Sequence, residues 1–467
     1  MRADLARTLN EILETVERDG TSGGTVEIRG EDPVLATRFR VGEAAALALA
    51  GCAELAASCW RDRTGRGQDV SVEVPAAAAS LLSFSFQRLE GADSPDPGER
   101  RGITDFYPTR DGRWVLVHGG FPHLQQGILD LLGISSEDPA PRREVADAIA
   151  GWSAQELEDA IAGQRLCGAM VRSESEWSQH PQGRALANVP LVEVIRVGES
   201  PPEPFDPAGL RPLSGIRVLD LTRVLAGPTC ARTLAEHGAE VLKINSPKLP
   251  SVPFFVTDTG HGKRSAYLDL REPADADRLR ELVAGADVFS QGYRGGALDR
   301  LGFDMPALHE LRPGLVYTSI NCYGHEGPWA DRAGWEQLAQ TVTGIAQENG
   351  EETPRLLPAA ATDYTTGYLA ALGTLAALAR RAAVGGSYAV RVSLSRTGMW
   401  LQGLGRTDLR GPGLSKEILD PLLTVSETPL GKLQHLRPVA VLSETAPRWE
   451  RPAVPLGTHE PIWEARP

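Results

Sequence analysis

Two stretches far apart in the chain share one short pattern, and this internal repeat constrains the fold more than any other feature of the sequence. The stretch PVLATRFRVG occupies residues 33–42, and PAAATDYTTG occupies residues 358–367. After each stretch come a helical segment of small residues, a turn and an alternating strand, DVSVEV in the first copy and YAVRVSL in the second. A match of about 40 residues in this order predicts a duplicated helix–turn–strand unit.

The two copies differ at the position of Asp363, where the first copy has Arg38. Asp363 precedes the segment YTTG, so its carboxylate is predicted at or near a helix N-terminus, where negative charge is favourable. The plainer interpretation is a helix N-cap. Both copies would need a cap, yet an Arg side chain accepts no hydrogen bond from a backbone N–H. The difference therefore favours a role for Asp363 that is confined to one copy, with divergence by drift as the alternative.

The second half of the chain alternates strands with helical runs. The predicted strands are IRVLDL, AEVLKI, SAYLDL, ADVFSQGY and LVYTSINCYG. Alternation at this pitch predicts an α/β fold, a Rossmann-like large domain with a doubly wound, mostly parallel sheet. A small α+β domain is expected around the hairpin signal Asp111–Gly112. The expected boundaries are 1–104 for helical and strand segments joining the large domain, 105–197 for the small domain, 198–212 for a Pro- and Gly-rich linker, 213–401 for the large domain and 402–467 for an extended tail across the surface.

Charge and cysteine usage exclude several classes of protein. The net charge of −13 argues against a nucleic-acid surface. The five cysteines form no C-x-x-C pair, which predicts a reduced, cytoplasmic setting. No run reaches the roughly eighteen apolar residues that a bilayer span needs. The charged N-terminal segment predicts an amphipathic helix with Leu5, Leu9, Ile12 and Val16 on its apolar face, rather than a signal peptide.

The common phosphate, metal and hydrolase motifs are absent from the sequence. There is no G-x-G-x-x-G, P-loop lysine, H-E-x-x-H or G-x-S-x-G, and we predict no metal. The first strand–helix turn, LTRVLAGP, offers a helix N-terminus at Gly227–Pro228 that either accepts an anion or is a plain tight turn. Basic residues follow it: Lys263, Arg264, Arg271, Arg294 and Arg300. Such charges are commonly solvated surface, and their concentration slightly favours an anionic ligand.

Several segments together resemble the family III CoA-transferases, which include formyl-CoA and carnitine CoA-transferases and the related α-methylacyl-CoA racemases. They appear in family order between about residues 212 and 398. The segments are PLSGIRVLDLTRVLAGPTCARTLAEHGAEVLKI, GKRSAYLDL, GADVFSQGYRGGALDRLGF, LRPGLVYTSINCYGHEGPWADRAGWEQLAQ and ATDYTTGYLAALGTLAAL. The early segments RTGRGQDVSVEV, FYPTRDGRWVLVHGG and EWSQHPQGRA resemble the second half of the same family. The small-domain half therefore leads here, whereas it follows in the family, which implies a permuted or duplicated-and-trimmed chain.

The resemblance implies a chemistry and a set of site residues. Asp363 stands where the family has its catalytic aspartate, and Glu336 matches an acid beside it, with Trp335 at the neighbouring aromatic position. The implied activity is CoA transfer from an acyl-CoA to a small carboxylic acid through an aspartyl anhydride and an aspartyl-CoA thioester, with coenzyme A as co-substrate. The implied contacts of CoA are Val224, Leu225, Ala226, Leu268, Arg271, Tyr293 and Arg300. A homodimer is also implied.

This chain departs from the family pattern at several positions. Ser246 replaces an adenine-side arginine and Gly292 replaces an asparagine, and both changes bear on CoA binding. The glycine-rich loop that closes over the family's aspartate is poorly matched by DPGERRGI, with Gly98 and Gly102. Two alternatives stay open at this point. One is an acyl-CoA racemase, although Trp335 follows Gly334 where the family's racemases have a His. The other is a scaffold that no longer transfers CoA.

Overall fold

The computed structural model describes residues 1–16, 22–91, 102–135, 138–350 and 352–465. Its strands are β1 (Val26–Arg29), β2 (Val70–Glu73), β3 (Arg88–Leu89), β4 (Asp105–Pro108), β5 (Trp114–Val117), β6 (Gly168–Met170), β7 (Glu193–Gly198), β8 (Arg217–Asp220), β9 (Glu240–Asn245), β10 (Lys263–Tyr267), β11 (Val288–Gln291), β12 (Val316–Asn321), β13 (Ser387–Ser393), β14 (Leu423–Thr428), β15 (Gly431–Leu436) and β16 (Val441–Leu442).

Its helices are α1 (Ala3–Thr15), α2 (Val41–Thr64), α3 (Val74–Ser80), α4 (Pro122–Leu132), α5 (Arg142–Ile149), α6 (Ala154–Gly163), α7 (Glu174–Gln179), α8 (Pro181–Ala187), α9 (Ala226–Glu236), α10 (Pro253–Thr259), α11 (Pro273–Ala284), α12 (Met305–Leu311), α13 (Glu336–Thr343), α14 (Ile345–Asn349), α15 (Ala361–Val384), α16 (Leu394–Gly403) and α17 (Lys416–Leu419). Short 3₁₀ turns occupy Ser83–Phe86, Asp299–Leu301 and Asp420–Leu422.

The large sheet confirms the α/β prediction. Within the described residues its strand order is β10-β9-β8-β11-β12-β13-β7, and every pair is parallel except β13 with β7. The chain moves outward from β8 in one direction and from β11 in the other, so the order reverses between these two strands. The carboxyl ends of β8 and β11 therefore form the switch point at which ligands bind in open α/β sheets.

The repeat is present in three dimensions and is longer than the sequence indicated. The series α1–β1–α2–β2–α3 has the same order as α12–β12–α15–β13–α16, except that α13 and α14 are inserted before α15. Strand β1 pairs in parallel with β2 as β12 does with β13. The helices α2 and α15 pack directly against each other, where Gly51 leaves room for Leu372 and Cys52 Sγ donates to the carbonyl of Tyr368 over 2.9 Å. Among the described helices, α2 alone is long and apolar enough to cross a membrane, and that stretch is entirely buried, so it packs as a core helix.

The N-terminal helix and the hairpin that follows β4 agree with the predicted pattern. The side chains of Leu5, Leu9, Ile12 and Val16 are buried, as predicted. The hairpin at Asp111–Gly112 joins β4 to β5, and Gly112 has the left-handed φ of 71° that such a turn requires. Strand β7 leaves the predicted small domain to join the large sheet beside β13.

The tail has more structure than the sequence predicted. Strands β14 and β15 form a hairpin that pairs with β3, and β16 pairs with β2. Beyond them the chain runs over the large domain, where the indole N–H of Trp449 donates to the carbonyl of Arg232 over 3.2 Å and that of Trp463 to the carbonyl of Leu282 over 2.9 Å. The tail therefore fastens segments from both halves of the chain.

Candidate active site

The first turn of α15 carries Asp363, and the structure rules out the N-cap interpretation for it. The helix begins at Ala361 and its N-cap is Ala360, so Asp363 is the third residue of the first turn. The free N–H groups are satisfied from outside the helix, by Glu336. Its Oε1 accepts from the N–H and the hydroxyl of Thr362, over 2.9 and 3.1 Å, and from the N–H of Asp363 over 3.4 Å. Because Glu336 does the capping, the carboxylate of Asp363 is left for another role.

The neighbouring helix α13 fixes this arrangement. Glu336 is its first residue, and one turn later Gln340 accepts from the N–H of Leu357 over 2.8 Å. The spacing of four residues places both side chains on one face of α13. That face therefore holds the start of α15 and the segment that leads into it.

Asp363 is half-buried and opens into a cavity of about 920 Å³. Both halves of the chain line this cavity. Besides Asp363 its walls are formed by Leu82, Phe84, Thr104, His118, Gly120, Phe121, Val224, Leu225, Ser251, Val252, Pro253, Phe254, Phe255, Trp335, Glu336, Gln337, Gln340, Leu356, Leu357, Pro358, Ala359 and Ala360. The catalytic pair implied by the resemblance, Asp363 and Glu336, is thus brought together at one wall of the cavity.

Burial perturbs the acidity of the groups around this cavity. It raises the pKa of Asp363 well above the usual carboxyl range, and the nearby Glu336 raises it further. Burial likewise raises the pKa of Glu336. The imidazole of His118 shifts the other way, since burial lowers its pKa to about 4. The cavity therefore combines two acids, which disfavour each other's ionisation, with an uncharged imidazole at neutral pH.

A buried network holds the residue that follows Asp363. The hydroxyl of Tyr364 donates to Asp258 over 2.7 Å, and Arg232 pairs with the same carboxylate oxygen over 2.9 Å. Ser83 donates to the other oxygen of Asp258, and the N–H of Phe84 donates to the Tyr364 hydroxyl over 3.2 Å. No local pattern indicates this network, because Asp258 lies 106 residues before Tyr364. It joins the start of α15 to α9, α10 and the first half of the chain.

The turn after β8 lies at the switch point and carries three of the predicted CoA contacts. Val224 and Leu225 line the cavity, and Ala226 begins α9. Val224 has a φ of 67°, a left-handed conformation that a β-branched residue adopts only when its surroundings enforce it. Strain of this kind is common at ligand clamps, and it marks this turn as a candidate contact surface.

Buried lysines hold the turn in place. Lys263 Nζ lies 2.8 Å from Asp220 and donates to the carbonyl of Pro228 over 2.7 Å. Lys243 Nζ donates to the carbonyl of Thr222 over 2.7 Å and lies 3.5 Å from Asp220. The interpretation of Lys263 and Arg264 as surface charges is therefore wrong. Lys263 is buried, and Arg264, also buried, donates to the carbonyl of Ile462 over 2.6 Å.

A second cavity, of about 270 Å³, is lined by Leu221, the residue directly after β8. Leu268, Arg271 and Tyr293 line it together, as do Ser246 and Lys248. The carboxylate of Asp269, which also lines this cavity, forms ion pairs with the guanidinium of Arg271 and the ammonium of Lys248, each over 2.9 Å.

Other residues that the sequence analysis named do not line this second cavity. Arg300 is exposed, on a 3₁₀ turn, and does not line it. Gly292 is exposed after β11. Gly102 has a left-handed φ of 50°, and Gly98 lies outside the described residues.

The small domain supplies residues that the sequence did not single out. The ring of His118, just after β5, stacks on Trp335 with centroids 5.8 Å apart, and Phe121 contacts the same indole at 5.4 Å. Contacts between two domains leave no periodic trace in sequence, so no pattern pointed to them. Across the described residues, no three His, Cys, Asp or Glu side chains are grouped so as to hold a metal ion.

Comparison with known proteins identifies the family of this chain. The family model described as CoA-transferase family III matches residues 20–194 and 213–411. The chain is 35% identical over 327 residues to the acetyl-coenzyme A transferase nodX of Hypoxylon pulicicidum, covering 65% of this chain and 55% of that protein. It is 36% identical over 321 residues to an acyl-CoA transferase of Gibberella moniliformis, covering 63% and 56%. The chain thus spans about half the length of the curated relatives it matches.

A further curated relative and one solved structure match smaller parts of the chain. Human succinyl-CoA:glutarate CoA-transferase is 33% identical over 190 residues, covering 38% of this chain and 43% of that protein. A crystal structure of a CAIB/BAIF family protein from Brucella suis is 29% identical and covers 48% of this chain and 65% of that one, with a TM-score of 0.38.

Proposed function

Since this chain belongs to CoA-transferase family III, we propose that it is an acyl-CoA:carboxylate CoA-transferase in which Asp363 forms the covalent intermediates. One observation carries the proposal. Asp363 is not used as a helix cap but opens into a cavity that both halves of the chain line. A carboxylate relieved of a structural role and facing such a cavity is suited to nucleophilic catalysis.

The proposed reaction begins with attack of the Asp363 carboxylate on the thioester carbonyl of the acyl-CoA donor. The carbon–sulfur bond breaks, CoA leaves as its thiolate, and a mixed anhydride forms. The thiolate then attacks the aspartyl carbonyl, so that the donor acid leaves and an aspartyl-CoA thioester remains. Each step exchanges one acyl oxygen or sulfur bond for another, which divides one difficult transfer into easier ones.

The second half of the reaction repeats these steps with the acceptor acid. Its carboxylate attacks the aspartyl carbonyl and displaces the CoA thiolate, giving a new anhydride. The thiolate attacks the acyl carbonyl of the acceptor, and the product is the new acyl-CoA with Asp363 free again. No step leaves a proton unaccounted for or calls for a metal. The raised pKa of Asp363 suits its role, since a more basic carboxylate is a better nucleophile once ionised.

Coenzyme A is proposed to lie across the switch-point turn. The thioester would enter the cavity beside Val224 and Leu225, and the nucleotide would occupy the second cavity with Leu268, Arg271 and Tyr293. Arg271 and Lys248 supply positive charge for its phosphates. Arg300 stands on an exposed turn and would contact only a phosphate that extends beyond the cavity.

The remaining predictions form part of the same proposal. We propose one active site per chain, a permuted or duplicated-and-trimmed order of the family's two halves, a homodimer and a cytoplasmic location. The separate matches to residues 20–194 and 213–411 and the three-dimensional repeat support the altered order. All five cysteines are buried and none is in a disulfide, which supports a reducing compartment.

The experiment that tests the proposal traps the intermediate. The protein is incubated with an acyl-CoA and hydroxylamine, digested and examined by mass spectrometry. We expect a hydroxamate at Asp363 that requires the acyl-CoA and is absent from the Asp363→Asn variant. Modification of another residue at equal yield would contradict the proposal.

A second candidate function is an acyl-CoA racemase, and His118 is the observation that favours it. This uncharged imidazole lines the same cavity as Asp363, so two proton carriers are available. Incubation of a 2-methylacyl-CoA in D₂O distinguishes the two functions. Exchange at Cα that is lost in His118→Ala would favour racemisation, and transfer without exchange would favour the CoA-transferase.

A further inference from the structure

We propose that the acyl part of this cavity accepts apolar monocarboxylic acids and discriminates against dicarboxylic acids. This inference rests on the proposed function and names the class of substrate that the same site takes. It is carried by two independent properties of the cavity, an aromatic wall and the sign of its charged side chains.

The wall facing the start of α15 is aromatic. Phe84 contacts Phe254 and Phe255 with ring centroids 5.7 and 5.1 Å apart, and those two rings are 4.3 Å from each other. Leu356 and Leu357 also line this cavity. An acyl chain placed beside Asp363 would thus exchange water for apolar contacts, which favours each added methylene.

Hydrogen bonds to the backbone hold this wall in place. The side-chain amide of Gln87 donates to the carbonyls of Phe84 and Phe254, over 3.1 and 2.9 Å. The N–H of Phe84 donates to the Tyr364 hydroxyl, which belongs to the residue directly after Asp363. The aromatic wall and the candidate nucleophile are therefore fixed to each other, and the shape of the pocket is defined before a substrate enters.

The charges in the cavity oppose a second carboxylate. Of the described side chains that line it, the acidic ones are Asp363 and Glu336, His118 is uncharged at neutral pH, and none is a Lys or Arg. A dicarboxylate would place its distal charge in an apolar site with two acids and no cation, which is costly because the charge loses its hydration.

The arginine that precedes Val224 in the sequence makes its contacts outside this cavity. Arg223 lines a separate small cavity, its guanidinium lies 5.4 Å from the centre of the Phe121 ring, and it donates to the carbonyl of Pro250. The ring of Phe121 thus has the guanidinium on it and also lines the large cavity. If a dicarboxylate is accepted, we expect Arg223 to be the cation that pairs with its second carboxylate.

The first experiment compares acceptor acids of equal length. CoA transfer to butanoate and octanoate is measured beside transfer to butanedioate and octanedioate, with acetyl-CoA as donor. We expect kcat/KM to be at least about 100-fold higher for octanoate than for octanedioate, because a site lacking a partner for the second charge rejects it strongly. We also expect about a fourfold gain for each methylene from butanoate to octanoate. Equal or better transfer to the diacids would overturn the inference.

The second experiment weakens the selectivity for monocarboxylic acids. Leu356→Arg places a cation at a half-buried residue that lines the cavity, and Leu210→Arg, at a position 84% exposed on the linker, is its matched control. We expect Leu356→Arg to raise the ratio of octanedioate to octanoate transfer about tenfold or more, and Leu210→Arg to leave it unchanged. An unchanged ratio in Leu356→Arg, with activity retained, would contradict the placement of the acyl chain.

Binding measurements separate this inference from the proposed function. Octanoate and octanedioate are titrated calorimetrically against the unmodified protein. Preferential binding of octanoate together with no transfer to any acid and no hydroxamate at Asp363 would overturn the proposed function but uphold the apolar site. Transfer to diacids together with a hydroxamate at Asp363 would uphold the function and overturn the present inference.

Discussion

The two copies of the repeat begin their long helices at different places. Helix α15 starts at Ala361, so Asp363 lies in its first turn, whereas α2 starts at Val41, and Arg38 lies three residues before it. Both helices are nevertheless 24 residues long, and both borrow a carboxylate as a cap. Asp32 accepts from the N–H of Glu43 over 2.8 Å, in the place that Glu336 takes for Thr362 and Asp363.

The position of the capping carboxylate differs between the copies, and only in the second copy does the aligned residue line the cavity. In the second copy the cap bonds the backbone at residues 362 and 363 and turns the side chain of Asp363 inward. In the first copy the cap bonds the backbone five aligned positions later, and Arg38 stays exposed, donating from Nε to the carbonyl of Thr407 over 3.0 Å. Arg38 is therefore a surface residue and not an altered catalytic one.

The largest effect on kcat is expected from substitution of Asp363, and none is expected from substitution of the aligned Arg38. Asp363→Asn removes the proposed nucleophile and is expected to lower kcat for CoA transfer by about 10³-fold or more. Its counterpart Arg38→Gln is expected to leave kcat unchanged, since Arg38 is exposed. Both are measured by thioester exchange with the same acyl-CoA. A comparable loss in Arg38→Gln would mean that the first copy contributes to catalysis.

The next effect compares the two borrowed caps. Glu336→Ala and Asp32→Ala each remove an oxygen from helix N–H groups, and each is expected to lower the free energy of unfolding by about 1–2 kcal/mol. Activity distinguishes them, because only Glu336 holds the turn that contains Asp363. Denaturant melts give the stability, and kcat measured well below the melting temperature gives the activity. Equal losses of activity in the two variants would contradict the inference that only Glu336 positions Asp363.

The pH dependence of kcat/KM also distinguishes the two capping carboxylates. Asp363 must be ionised to attack, and its pKa is raised by burial and then by Glu336, so kcat/KM is expected to fall on acidification well above the ordinary carboxyl pKa of about 4. Glu336→Gln removes the neighbouring charge and keeps an accepting oxygen. It should move this acidic limb down by about one pH unit. Asp32→Asn, the counterpart in the first copy, should leave the limb in place.

The smallest effect is expected from a substitution that gives the second copy the residue type of the first. Position 364 is Tyr where the aligned residue is Phe39, so Tyr364→Phe removes one hydrogen bond to Asp258 and the one accepted from Phe84. We expect a loss of about 1 kcal/mol in the free energy of unfolding, because Arg232 still pairs with Asp258. Thermal unfolding measures it. A loss larger than that of Glu336→Ala would mean that this network, and not the cap, sets the start of α15.

The sequence predicted those parts of the molecule that repeat or alternate. The apolar face of α1, the hairpin at Asp111–Gly112 and the strands of the large sheet all follow from local periodicity, and the structure confirms them. The repeat itself was visible because both copies keep the same order of small residues. The repeat does not reveal which carboxylates cap the two helices. Asp32 and Glu336 are separated from their helices by sequence stretches of different length, so they do not align with each other.

The features that could not be predicted from the sequence depend mostly on contacts between segments that are far apart in the chain. Lys263 was interpreted as a surface charge because its partner Asp220 lies 43 residues away, and only the sheet brings them together. The hairpin of β14 and β15 was missed because the side chains of β14 are largely exposed, which leaves no apolar alternation to detect. His118 and Trp335 meet across two domains, so neither residue's neighbours indicated the contact.

The packing of α2 against α15 within one polypeptide bears on how such a protein can change over generations. In a symmetric dimer, each substitution at the two-fold axis appears twice, and both sides must tolerate it. Here the codon for Gly51 and the codon for Leu372 are separate, so one helix of the pair is free to mutate while the other stays as it is. A lineage carrying this duplication can alter one side at a time, and a protein engineer can do the same.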